Sequence, residues 1–122
     1  MDKQISVEFY NLPDGSEPAK EFLKSLDPKM KAKMLRTIEL LETNGRDLRM
    51  PYSEFLDDGI FELRAKVSSN ITRVLYFFYV GNRAILTNGF IKKTQKTPKE
   101  ELAKAKKYKA DFIQRQKESN ND

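Results

Sequence analysis

Four cations near strand ends are the residues of this chain best suited to chemistry. Arg64 and Arg73 stand in apolar, alternating segments joined by Ser68-Ser69-Asn70. Lys92 and Lys93 lie in the run Asn88-Gly-Phe-Ile-Lys-Lys-Thr-Gln-Lys-Thr-Pro98, where an apolar strand ends and a helix begins. A guanidinium among apolar strand residues is costly to bury unless it has a partner or reaches a groove. Two readings follow. In one, each arginine is ion-paired, with Glu62 or Glu54 as the partner. In the other, the guanidinium is a permanently charged, bidentate clamp on a phosphate. Lysines 92, 93 and 96, held by a strand end, favour the second reading and point to a polyanionic partner.

The distribution of charge agrees. The 122 residues carry a formal net charge of +5, while residues 92–109 alone carry +6 from eight lysines and two glutamates, leaving −1 elsewhere. The basicity is therefore expected to be local, and a local basic face suggests phosphate contact. A solvated lysine-rich helix has the same composition and is the bland alternative.

Composition excludes several chemistries. With no cysteine and no histidine, the chain has no disulfide, no thiolate nucleophile, no imidazole base and no histidine-dependent triad or zinc set. Catalysis would fall to Lys, Arg, Tyr, Gln, Ser, Thr, Asp or Glu. The glycines occur singly, so no phosphate-cradling glycine loop is present. Neither a glycosidase-like carboxylate pair nor metal-ligand spacing is seen, so neither cofactor nor metal is expected. No run approaches the ~20 apolar residues of a membrane span. The first residues carry no signal-peptide pattern, and a cytoplasmic protein without a membrane partner is expected.

The elements that must position these cations follow from periodicity. Length allows one domain with one modest core. Residues 5–10 alternate as a strand. Ser16 is the expected cap of a first helix carrying Phe22, Leu23 and Leu26. Asp27-Pro28 opens a second helix with Met30, Met34, Ile38 and Leu41 on one side, ending at Asn44-Gly45. Residues 46–59 are the least structured segment, with Phe55 and Leu56 expected to anchor it and Met50 to fill core space. Residues 60–67, 71–80 and 83–91 then form three strands, the middle one covered on both faces and the last two joined at Gly81-Asn82. Tyr76, Phe77, Phe78 and Tyr79 are expected mostly in the core, with one or two able to stack on a base. Thr97-Pro98-Lys99-Glu100 fits a capping box for a final helix to about residue 115, followed by a frayed tail at 117–122. The order β-α-α-β-β-β-α predicts an α+β fold: a small antiparallel sheet packed against helices.

Three segments carry a resemblance: Gly59-Ile-Phe-Glu-Leu-Arg64, Thr72-Arg-Val-Leu-Tyr-Phe77 and Gly89-Phe-Ile-Lys-Lys-Thr-Gln-Lys-Thr-Pro98, with Glu17-Pro18 and Phe22-Leu23 before them. Over residues 5–115 the chain resembles the phage-derived Gp49-like, HigB-type branch of the RelE/ParE toxin superfamily. The resemblance implies a toxin of a type II toxin–antitoxin pair that cuts mRNA in the ribosomal A site and inhibits translation. The implied partners are the ribosome, mRNA and a helix-turn-helix antitoxin, with operator DNA reached only through the antitoxin complex. It implies metal-independent cleavage through the 2′-OH, giving a cyclic phosphate. Arg64 and Arg73 would stabilise the phosphate and transition state, and Lys92 or Lys93 would be the base or proton shuttle. Alternation makes it improbable that both lysines face one groove. Gln95, Lys96, Lys99 and Lys106 would contact RNA or the ribosome. Some relatives use a histidine or tyrosine near the C-terminus; here only Tyr108 lies late in the chain. The rival expectations are a gyrase-inhibiting toxin of the ParE type and a non-catalytic nucleic-acid-binding phage accessory protein.

Overall fold

A computed structural model of the chain describes residues 4–92 and 97–120. The elements run β1 (Ser6–Phe9), α1 (Pro18–Ser25), α2 (Pro28–Asn44), a 3-10 turn (Gly45–Asp47), β2 (Ser53–Asp57), β3 (Ile60–Val67), β4 (Asn70–Tyr79), β5 (Arg83–Lys92) and α3 (Lys99–Asn120). The five strands form one sheet in the order β1-β5-β4-β3-β2.

Strand β4 is central, as its nearly continuous apolar sequence requires. Residues on one of its faces, Val74 and Tyr76, join Leu63, Ala65, Ala84 and Leu86 under α1 and α2. Those on the other, Leu75 and Phe77, join Ile60, Ile85 and Phe90 under Ala105, Leu102 and Phe112 of α3. Helix α2 lies on the sheet because Met30, Met34, Ile38 and Leu41 recur at helical spacing and are all buried. Each such side chain contributes about 1.5–3 kcal/mol by leaving water. Asp27 caps it as its position predicts, Oδ1 accepting from Met30 N at 3.0 Å.

The α+β class is as the sequence predicts, with differences in detail. The segment 46–59 holds a strand, β2, which pairs antiparallel with β3 at the edge of the sheet. The sheet is mixed, since β1 runs parallel to β5. Ser16 is not the cap of α1; Glu17 occupies that position and Ser16 bonds Asp14 instead. Helix α3 begins at Lys99, so Pro98 stands at the cap position, and it continues to Asn120. Met50 and Phe55 are 56% and 54% exposed and fill no core.

Candidate active site

Strand register brings the cations together. Arg64 lies directly opposite Arg73 across β3 and β4, and Ile71 lies opposite Lys92 across β4 and β5. Because strand side chains alternate, Glu62, Arg64, Arg73, Phe90 and Lys92 share the face that carries α3. Helix α3 starts over Glu62 and Asn88. Thr97 Oγ1 donates to Glu62 Oε1 at 2.9 Å, and Asn88 Nδ2 donates to Glu101 Oε1 at 3.0 Å. The helix then runs toward the other end of the sheet, where Lys106 meets Asp57. Arg64, Arg73 and Lys92 thus occupy the part of this face beyond the helix start. Arg64 and Arg73 line a cleft of about 220 Å³ there, with Met50, Pro51, Lys66 and Ile71.

Glu62 is the hub of the cluster. It is 1% exposed, and its Oε2 lies 3.2 Å from Arg73 Nε and 4.0 Å from Arg64 Nε. The contact with Arg73 is ionic and not a hydrogen bond, because Arg73 Nε has no acceptor in line among the described residues. Arg64 turns outward: its Nη1 donates to Glu54 Oε1 at 3.0 Å and to Met50 Sδ at 2.9 Å. Both arginines are therefore ion-paired, with the two carboxylates that the sequence offers. These described groups still sum to one excess positive charge, since Lys92 stands against no carboxylate of its own.

That imbalance appears in the proton affinities. Burial lowers the pKa of Arg73 most, Glu62 opposes the fall and Arg64 adds to it. Lys92, 8% exposed, is lowered first by burial and then by the charge of Arg73. Glu62 holds it up, Arg64 lowers it and Glu54 raises it. A lysine so depressed holds a larger neutral fraction near pH 7 than a surface lysine, and only the neutral amine can accept a proton.

Among the described residues, the other sequence-predicted ones stand apart from this group. Lys93, Gln95 and Lys96 lie outside the described residues. Lys99 is exposed in the first turn of α3. Lys106 is held 2.7 Å from Asp57, at the far end of the face. Tyr108 stacks on Tyr10 with ring centroids 4.7 Å apart, which fixes it in the packing of α3. Tyr76 and Phe77 are buried and present no face to a base. Phe78 is covered by Arg46 at 4.4 Å, and Tyr79 meets Phe112. Thr97 and Met50 join the cluster without any sign in the sequence. The part of Glu62 was legible, because residues 62 and 64 of one strand must share a face.

Among the described residues no group of three acidic side chains is disposed to hold a metal ion, and no helix is long and apolar enough to cross a membrane. Comparison with known proteins adds one match. The family described as phage derived protein Gp49-like matches residues 21–110, which include α2, all of β2 to β5 and the first half of α3. No curated protein matches the chain.

Proposed function

The chain belongs to the phage-derived Gp49-like family, and from that premise we propose that it is the toxin of a type II toxin–antitoxin pair. It cuts mRNA on the ribosome as a metal-independent endoribonuclease and is neutralised by a protein antitoxin of the helix-turn-helix kind. The observation that carries the reading is the meeting of Arg64, Arg73 and Lys92 on one sheet face, with the lysine depressed by burial and by its arginine neighbour.

The chemistry suits a site without histidine. Neutral Lys92 takes the proton of a ribose 2′-OH as that oxygen attacks the adjacent phosphorus. Arg64, the outermost cation, binds the phosphate, and Arg73 behind it compensates the charge that grows on the phosphorane. The bond from phosphorus to the 5′-oxygen breaks, leaving a 2′,3′-cyclic phosphate. The 5′-oxygen departs with the proton that Lys92 took from the 2′-OH, so the lysine acts as a proton shuttle and ends neutral. Loss of one such transition-state contact typically lowers a rate about 10²–10³-fold. Glu62 sets the field, keeping Arg73 fixed and Lys92 from being depressed further.

The test is induced expression in a bacterium with primer extension on several abundant mRNAs. Discrete cuts confined to translated regions, suppressed when the A site is blocked, are expected. Growth arrest with intact mRNA and failed supercoiling would replace this reading with gyrase inhibition. No arrest and no cutting would leave a binding role.

A further inference from the structure

A second basic surface lies outside the cluster just described. Helix α2 and the β3–β4 turn enclose a groove of about 690 Å³, lined by Lys29, Lys33, Arg36, Lys66 and Leu35, with Glu39 the one acid. All four cations are exposed. None of them has an ion pair or side-chain hydrogen bond among the described residues. By contrast Lys20, Arg64, Arg73, Arg83, Lys104, Lys106 and Arg115 all have acidic partners. Four cations without an acidic partner thus line one groove of the described surface, three of them on a single helix.

The placement works against stability. Apart from its Asp27 cap, α2 has no acid in its first turn and no base in its last. Lys29, in that first turn, therefore faces the positive end of the helix dipole, where cations are disfavoured. Its charge contributes nothing to the stability of the helix end. Lys29, Lys33 and Arg36 recur at i, i+4 and i+7, so they share one side of the helix over about 10 Å. Lys66 joins this groove to the cluster, because it also lines the cleft of Arg64 and Arg73.

We propose that the α2 groove is a phosphate track for RNA, continuous through Lys66 with the cleft of Arg64 and Arg73. The proposal rests on the nuclease reading for its ligand class, but not for the cutting step. The strand that leaves the cleft at Arg64 passes Lys66 at the β3–β4 turn and lays its phosphates along Lys29, Lys33 and Arg36. Exposed Leu35, 45% accessible, offers an apolar ledge beside them. The contacts are to backbone, so the groove adds affinity and register without sequence preference.

Binding of the full chain to a 2′-O-methyl RNA oligonucleotide, which cannot be cut by 2′-OH attack, tests this. The unaltered protein is compared over a range of salt with the combined variant Lys29→Ala, Lys33→Ala and Arg36→Ala. All three positions are exposed, so the fold is expected to hold, and circular dichroism checks it. Each lost phosphate contact removes roughly 0.7 from the salt slope for a single strand. The variant should therefore show a slope shallower by about 2 and roughly hundredfold weaker binding at 0.1 M salt. A parallel arm measures binding to 30S ribosomal subunits. Loss in that arm alone would overturn continuity with the cleft and make the groove a separate contact for ribosomal RNA. Unchanged slope and affinity in both arms overturn the track, as does a failure of the unaltered protein to bind RNA in either arm. Binding that depends on the groove while mRNA stays intact in cells would sink the nuclease reading and leave the track standing.

Discussion

Replacing Glu62 by glutamine separates charge from shape at the centre of the cluster. Glutamine keeps the size of the side chain, and its amide oxygen can still accept from Thr97, which donates to Glu62 at 2.9 Å. What is lost is the negative charge 3.2 Å from Arg73 and 4.0 Å from Arg64. Arg73 is 2% exposed and would become a buried cation without its neutraliser. Breaking a buried pair from one side costs about 3–5 kcal/mol. Glu54 still compensates the cluster from its rim, so the lower end applies, about 3 kcal/mol. For a chain of this size that corresponds to a fall in Tm of roughly 10 °C. Urea unfolding by circular dichroism reads it directly. The same substitution moves the pH profile of RNA cleavage. Glu62 holds the Lys92 pKa up, so without it Lys92 falls further and becomes neutral at lower pH. A base acts when neutral, so the acid limb of kcat/KM shifts to lower pH. A stability loss under ~1 kcal/mol, against the buried-pair cost, or an acid limb that moves upward, would refute the reasoning.

The remaining perturbations separate structure from chemistry. Arg64→Ala removes a partly exposed ion pair with Glu54 and should cost about 0–1 kcal/mol, while cleavage falls at least about a hundredfold. Arg73→Ala should instead lower stability by about 3 kcal/mol, since it strands buried Glu62; urea titration distinguishes the two. Lys92→Met should abolish cleavage yet raise Tm near neutral pH. The folded pKa of Lys92 is lowered, so between that value and the ordinary 10.5 the unfolded chain binds more protons and stability rises with pH. Below the window the full cost of the buried charge is present, and Lys92→Met removes it. In the variant the pH dependence of Tm should flatten across that window. Gly89→Ala should destabilise by about 2 kcal/mol, because a methyl on β5 would overlap the Phe22 ring of α1; a Tm unchanged within error would contradict that packing.

Strands β3 to β5 were legible because their apolar residues alternate or run on, and because Gly81 and Asn82 mark the turn with positive φ at both. Strand β2 was not, since an edge strand carries exposed and charged residues and so has little apolar pattern to read. The parallel pairing of β1 with β5 is non-local, and alternation tells a strand its face but not its neighbour. For the site, alternation placed Arg64 and Glu62 together, and the ion pairs with Glu62 and Glu54, the less favoured of the two readings, are the ones that form. Within the basic segment 92–109, Lys106 is bound to Asp57 from outside it, while Lys104 lies 3.6 Å from Glu101, already in the count, and Lys109 donates to the neutral Asp58 carbonyl, so most of the segment's excess charge remains. The cations of α2 were less legible because Glu39 and Glu42 offset two of its four charges in sequence, and the β3–β4 turn that completes the groove is brought beside them only by folding.

The most direct measurement is the chemistry of the cut end on ribosome-bound mRNA treated with purified protein. The proposed mechanism predicts a 2′,3′-cyclic phosphate upstream of each cut, abolished by a single 2′-deoxy substitution at the cut nucleotide and by Lys92→Met. Cleavage that persists at the 2′-deoxy position, or that leaves a 3′-hydroxyl, would contradict it.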